Sequence, residues 1–430
     1  MRRPNQTQER HLVLLGDQVG NVSSLAKRLL LDAPQSVAQS DFVRDVSTTL
    51  SLLSDRLRPF HREHLPRFDT VHNLATIYHE SNGACHPAIS STLLAVVQFL
   101  QLFRYYEARA RQPENHDEIS VVGLCTGSLV AAAYACCASV DDLKALAVPT
   151  VSIAFQMGLQ VATASSMLHE QGATLESWST AISKISEDEV LSALKVYDAG
   201  GILSLRHRCF ISAIGLNGVT VSGSPPALRR FTESLTESDP SKRMRELPIY
   251  GAYHASHIHG VLDFPSFLNR AGVNPEFLAS FPTRKTLLCP LTGRPVDAPN
   301  SLGLFKSVVH HTLQAPLRFD LVVDEFVTQI QANGTASVAL HVVGPTTAAE
   351  GLASALRSRT EAAVVTRDLI TLDSRKDQFQ PSGAYNNAPL AIVGVSGRFP
   401  GAESAEELWS VLEAGLDMHR VVSTARRRSH

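Results

Sequence analysis

Residues 119–140 (ISVVGLCTGSLVAAAYACCASV) run for over twenty positions without a charged side chain, nominally enough to cross a bilayer as one helix. Two arrangements hide such a stretch from water: a membrane span, or a buried strand that leads directly into a buried helix. The second fits better. Residues 119–123 read as a strand closed by Gly123, and Thr126, Gly127, Ser128 and Ser139 interrupt the hydrocarbon. No flanking cluster of Lys or Arg anchors the segment, and no second span of that quality follows. A strand, a sharp turn and a helix are expected here, and no membrane.

The turn carries the chemistry. Gly123-Leu124-Cys125-Thr126-Gly127 has the spacing of a nucleophile elbow: glycines two before and two after the nucleophile let the backbone bend without a clash. The helix that follows presents amides and a partial positive charge. Cysteine stands where serine is usual, and a thiol so placed is expected to have a lowered pKa and to act as thiolate. The competing reading makes Cys125 a small buried hydrophobe.

The second unusual segment is residues 248–260 (PIYGAYHASHIHG), with His254, His257 and His259. Spacings of three and two do not suit a helical pair of metal ligands, and the nearest acidic residue is Asp263, so no metal is expected. A histidine within reach of an elbow nucleophile serves as general base and then as general acid. At least two of the three are surface or structural histidines on this reading.

Charge and cysteine usage narrow the partners. Lys and Arg total 39 against 41 Asp and Glu, a net charge of −2, so no basic excess exists to neutralise a run of phosphates, and nucleic acid is not expected. The six cysteines are scattered without a CxxC, which points to a reducing compartment; with a polar N-terminus and only residues 11–16 apolar behind it, a cytoplasmic protein is expected. A chain 44% hydrophobic and 19% charged forms cores, and 430 residues at about 150 per domain allow about three of them.

Along the chain, buried strands are expected at residues 11–16, 120–123 and 338–343, and helices at 23–31, 42–57, 87–106, 128–137 and 348–356. Between about 176 and 236 short strands (210–215, 219–222) alternate with two helices (188–196, 227–235), as in a ferredoxin-like α+β subdomain. Residues 374–387 (SRKDQFQPSGAYNN) are polar and aperiodic and read as a linker. A fresh strand (390–394) and helix (404–412) follow, too short a stretch for a core of its own, so the chain is expected to stop just inside a further domain.

Together the GxCxG elbow at Cys125, the YHAxH segment at His254 and the early Gly16-Asp17-Gln18 resemble the starter unit:ACP transacylase domain that opens fungal non-reducing iterative polyketide synthases. Residues 390–402 (LAIVGVSGRFPGA), with Leu408-Trp409, resemble the start of the ketosynthase domain that comes next in those synthases. The resemblance implies an α/β acyltransferase fold: an α/β-hydrolase-like body (1–175 and 247–373), a ferredoxin-like insert (176–246), a linker (374–388) and a ketosynthase stub (389–430). It makes Cys125 the nucleophile and His254 the base, with His257 the second choice. The backbone amides of Gln18 and Thr126 become the oxyanion hole, and Asn217 with residues 222–224 backs the site. Substrate-pocket residues are then Gln156 and His257.

Relatives that carry malonyl groups hold the carboxylate with an arginine after the elbow helix, a bidentate contact that glutamine cannot replace. Here no arginine lies between Arg111 and Arg206, and Gln156 falls near its place, so an uncharged acyl group is expected. The resemblance further implies no permanently bound cofactor. Its substrates are acyl-CoA, or the donor carrier protein of another synthase, and the phosphopantetheine arm of the acyl carrier protein; its partners are that carrier protein and the other domains of the synthase. Two other functions stay open on sequence alone: a thioesterase or editing hydrolase with the same elbow and histidine, and a docking domain that keeps the fold without turnover. Basic clusters at Arg229, Arg230, Lys242, Arg243 and Arg245, and at Arg357, Arg359 and Arg367, are solvated faces or carrier-protein contacts.

Overall fold

The structure, a computed structural model, describes residues 9–20, 22–32, 36–109, 119–168, 175–199, 204–368, 402 and 404–414. The chain divides into two compact units, Met1–Ser374 and Arg375–His430. In the second, Ala405–Glu413 is helical. The expected linker at 374–388 and the expected strand at 390–394 lie outside the described residues.

In chain order the first half of the larger unit holds β1 (Glu9–Leu15), α1 (Val22–Ala26), α2 (Val37–Asp55), α3 (Pro59–His64), α4 (Val71–Glu80), α5 (Pro87–Arg109), β2 (Ile119–Gly123), α6 (Gly127–Cys136) and α7 (Val140–Ser166). Then come β3 (Ser179–Ser183), α8 (Glu187–Ala199), β4 (Phe210–Ile214), β5 (Gly218–Ser222), α9 (Pro225–Ser238) and β6 (Arg243–Leu247). The chain continues through α10 (Phe264–Arg270), α11 (Pro275–Ala279), β7 (Thr286–Leu287), α12 (Ser301–Gln314), β8 (Leu317–Arg318), α13 (Phe319–Ala332), β9 (Ser337–Val343), α14 (Ala348–Arg359) and β10 (Ala363–Asp368).

The body is a parallel sheet in the order β10-β9-β1-β2-β7, covered by helices on both faces. β1 is central because its residues are apolar on both sides: Leu12 and Leu14 join the core under α13 and α14, Val13 and Leu15 the core under α2, α5, α6 and α7. Register sets what happens at the top of the sheet. Leu15 pairs with Gly123 on one side and Val343 on the other, so the loops after β1, β2 and β9 emerge side by side. The chain turns to opposite sides of β1 here, and such switch points are where open α/β sheets bind ligands.

Residues 119–140 are thus not one span but β2, a turn and α6, all buried against the body. Among the described residues two helices are long and apolar enough to cross a bilayer, α5 and α7, and they bury 94% and 78% of their most apolar windows inside the fold, as core helices do. They approach closely at Gly158, where a Cβ would lie 2.3 Å from Ala88 Cα.

The insert is a βαββαβ unit. Its sheet runs β6-β3-β5-β4 and antiparallel, the ferredoxin-like order, and β8 from the body extends it parallel to β4. Alternation divides its faces: Ile182, Val219 and Val221 pack under α8 and α9 with Val190, Leu194 and Phe231. Ser179, Ala181, Ser183, Thr220 and Ser222 line the opposite face, which looks onto a cleft.

Candidate active site

A cleft of about 370 Å³ lies between this small-residue face and the ends of β1, β2 and β9. Cys125 is at its floor. The backbone of Cys125 is in the left-handed region (φ +48°), unusual for a residue with a Cβ, as the sharp bend from β2 into α6 requires. The flanking glycines serve close approach. A Cβ on Gly123 would lie 2.4 Å from Ser128 Cα, and one on Gly127 2.1 Å from the Gly16 carbonyl oxygen. The Ser128 hydroxyl donates to the Gly123 carbonyl at 2.6 Å and ties the helix back to the strand end.

His254 reaches the thiol from the segment after β6, its Nε2 3.3 Å from Cys125 Sγ. It too has a left-handed backbone (φ +59°), held because its N–H donates to Thr312 O (2.9 Å) and the next N–H, of Ala255, to Leu313 O (2.7 Å). Its Nδ1 lies 2.7 Å from the Ala315 carbonyl, which can only accept, so Nδ1 carries the proton and Nε2 offers its lone pair to the thiol. The end of α12 also touches the nucleophile, where the Thr312 hydroxyl donates to Cys125 O at 3.4 Å. One helix terminus therefore aligns both members of the pair.

The expectation of a lowered thiol pKa is reversed. Burial, then the charge of Asp17, push the Cys125 thiol well up, and the Thr126 amide offsets this only partly. Burial likewise pulls His254 down to about 4, against hydrogen bonds to the Ala315 and His311 backbone that favour its charged form. Both shifts favour the neutral pair, so at neutral pH the site rests as thiol and imidazole. A nucleophile here is generated by proton transfer during attack, not stored as thiolate.

Gln18, 2% exposed, follows β1 and accepts a hydrogen bond from the Thr126 hydroxyl through Oε1, joining the two loops beside Cys125. Among the described residues neither the Gln18 nor the Thr126 N–H is taken by a backbone carbonyl. Asn217 and Ser222 line the cleft; Gln156 and His257 do not. Gln156 sits in α7 among the fully buried Ala154, Phe155 and Met157. His257 packs edge-on against Phe210, ring centroids 4.8 Å apart, and His259 is tied to the Ala252 carbonyl at 2.6 Å. Among the described residues no three His, Cys, Asp or Glu side chains cluster as metal ligands.

Sequence reasoning gave no role in the cleft to several lining residues, among them Asp17, quoted only as part of the Gly16-Asp17-Gln18 motif, Tyr253 beside the base, and Arg245, placed in a basic run that is a solvated face or a carrier-protein contact. A signal existed for the first two, each adjacent to a predicted site residue. Arg245 gave none, since its strand is charged and lies at a sheet edge.

The chain is similar to known proteins over most of its length. A family model described as "Starter unit:ACP transacylase in aflatoxin biosynthesis" matches residues 13–254, and one for the N-terminal domain of β-ketoacyl synthases matches 387–430. Non-reducing polyketide synthase 1 of Elsinoe fawcettii is 31% identical over 417 residues, covering 97% of this chain and 19% of that protein. Non-reducing polyketide synthase pks27 of Aspergillus flavus is 32% identical over 373 residues, covering 86% of this chain and 18% of that protein. The chain thus spans about a fifth of the length of these relatives. Among solved structures, MCAT from Mycobacterium tuberculosis superposes with a TM-score of 0.55 at 18% identity, covering 85% of this chain and 98% of that one. The malonyl CoA-acyl carrier protein transacylase from Clostridium perfringens gives 0.55 at 13% identity, covering 86% and 97%. These structures share the fold of this chain. The chain belongs to the starter unit:ACP transacylase family and runs on into the beginning of a ketosynthase domain.

Proposed function

We propose that the chain loads a non-carboxylated starter acyl group onto the phosphopantetheine thiol of a polyketide synthase's acyl carrier protein, by a ping-pong route through an acyl-Cys125 thioester. The observation that carries this reading is the 3.3 Å contact between Cys125 Sγ and the unprotonated nitrogen of His254 at the floor of the cleft. In the first half-reaction His254 Nε2 takes the thiol proton as sulfur attacks the carbonyl of acyl-CoA or of a donor carrier protein. The backbone amides of Gln18 and Thr126 hold the tetrahedral oxyanion. The donor sulfur then leaves with the proton from His254. In the second half the same nitrogen deprotonates the carrier's thiol, which attacks the acyl-enzyme, and Cys125 leaves as thiol.

A cysteine nucleophile suits transfer because each step exchanges one thioester for another, so the acyl group stays activated. General-base action by His254 accounts for about 10²–10⁴ of the rate. An uncharged acyl group is favoured because α7 carries no arginine, and the one cation lining the cleft among the described residues, Arg245, lies within the field of Asp17. The working compartment on this reading is the cytoplasm.

The test follows the fate of the acyl group. The chain is given a panel of acyl-CoAs with phosphopantetheinylated carrier protein, and carrier-bound product is measured against free acid. Acyl carrier protein as the main product, with parallel-line initial-rate kinetics, supports the transacylase. Free acid as the main product makes the site a hydrolase.

A further inference from the structure

The cleft walls are mostly small and neutral. Among the described residues that line it, two side chains are charged: Asp17, on the body side at the end of β1, and Arg245, on β6 of the insert. Asp17 is fixed rather than loose, because its Oδ1 accepts the Val19 N–H at 3.1 Å in a tight side-chain turn. Its field reaches both sides of the cleft: it raises the pKa of the Cys125 thiol, and Arg245 in turn lowers that of the Asp17 carboxyl.

We propose that Asp17 determines which acyl charge the site accepts: its carboxylate, beside Cys125 and opposite Arg245, turns away carboxylated acyl thioesters, while its effect on Cys125 itself is common to charged and neutral ones. This rests on the acyl-transfer reading above and adds the residue that enforces its substrate class. A malonyl-type group attacked by Cys125 carries its own carboxylate two bonds from the carbonyl carbon, and so brings it into the cleft that Asp17 lines and where its charge already acts on Cys125. Repulsion between unit charges less than about 10 Å apart near a protein surface lowers occupancy at least about tenfold. Arg245 alone would attract the same carboxylate, since a guanidinium is well suited to gripping one. With Asp17 ionised that attraction is already offset, and no arginine on α7 replaces it.

Titration gives an independent view. Burial raises the Asp17 carboxyl to about 6, against the opposing effects of the Val19 amide and Arg245. The other groups that line the cleft and can lose or gain a proton near this range are Cys125 and Tyr253, both pushed up by burial and neutral throughout, and His254, neutral above about 4. Between pH 7.5 and 5 the charge that changes in the cleft is therefore that of Asp17.

The experiment measures acylation of Cys125 in the 430-residue chain by malonyl-CoA and acetyl-CoA, using rapid quench and intact mass spectrometry. Wild type, Asp17→Asn and Asp17→Asn/Arg245→Gln are compared. Asparagine keeps the oxygen that accepts from Val19 and removes only the charge. The malonyl-to-acetyl rate ratio is expected to rise about tenfold in Asp17→Asn, to fall back in the double variant, and to rise in wild type as pH drops from 7.5 to 5. A ratio in Asp17→Asn within twofold of wild type overturns the proposal. Should that variant fail to fold, a wild-type ratio that stays flat over the same pH range overturns it equally. If neither ester acylates wild-type Cys125, the comparison is repeated with malonyl- and acetyl-loaded carrier protein as donors, and no adduct from any of the four ends the acyl-transfer reading and this one with it. Normal acetylation with an unmoved ratio removes only the role of Asp17.

Discussion

Replacing Gly127 with alanine drives a methyl group into the turn that joins the two halves of the site. A Cβ built at Gly127 lies 2.1 Å from the Gly16 carbonyl oxygen, with Leu15 O at 3.1 Å. Carbon and oxygen that are not bonded rest at about 3.3 Å, so about 1.2 Å must open between α6 and the end of β1. Both obstructing atoms are backbone, in strands and turns held by hydrogen bonds such as Leu124 N to Leu15 O (3.0 Å) and Gly16 N to Val343 O (2.9 Å). Little of the clash can be relieved by rotating a side chain. Overpacking of this kind costs about 1–3 kcal/mol, and the upper end is expected here. The same displacement moves Thr126 away from Gln18, and a misplacement of about 1 Å in a reacting geometry lowers rates about 10²-fold. Urea unfolding gives the stability change from the midpoint at unchanged slope, and quenched acylation by acetyl-CoA gives the rate. Gly260→Ala is the control, since nothing lies within 4 Å of a Cβ built there. A Gly127→Ala chain that loses less than about 0.5 kcal/mol, with an acylation rate close to wild type, would refute the reasoning.

Two further outcomes follow from the electrostatics. Because burial lowers His254 to about 4, acetylation of Cys125 should not fall from pH 7 to 5 and should drop only as pH approaches 4, where Nε2 gains its proton and can no longer act as base. A midpoint near the ordinary imidazole value of about 6.5 would contradict the neutral pair. The second concerns Cys289, whose Sγ is 3.5 Å from His311 Nδ1. Burial opposes its thiolate, but hydrogen bonds from His311, the Leu291 backbone and Thr292 outweigh it and bring the thiol down to about 7, whereas burial raises Cys85, Cys125, Cys136 and Cys209. Iodoacetamide at pH 7 followed by peptide mapping should label Cys289 ahead of those four; Cys125 reacting first would show that the resting thiol is ionised after all.

How far the sequence disclosed the site depended on whether the signal was local. β1 and β2 were legible because both faces of a central parallel strand are buried, which leaves uninterrupted apolar runs closed by Gly16 and Gly123. The elbow was legible because its steric demand falls on glycines two residues either side of Cys125. The pairing of Cys125 with His254 had no such local signal. It depends on a left-handed residue pinned to carbonyls of Thr312 and Ala315 some sixty positions later, and only the resemblance singled out His254 from its two neighbours. β6 (RMREL) shows no apolar alternation, since it is an edge strand whose charges face water, so Arg245 was read as surface although one face of that strand looks into the cleft. Gln156 is absent from the cleft lining, because position along α7 does not say which way the helix faces, and this stretch of α7 is buried on all sides. The thiol pKa was misjudged because the elbow amides were weighed without the burial that the insert imposes and without Asp17.

The central claim is that Cys125 becomes covalently acylated and passes the group on. Intact-protein mass spectrometry of wild type and Cys125→Ala, mixed with a panel of acyl-CoAs and then with phosphopantetheinylated carrier protein, tests it most directly. The account predicts an acyl adduct on wild type alone, lost to the carrier on its addition. An adduct of equal yield on Cys125→Ala, or carrier acylation at the wild-type rate by that variant, would contradict it.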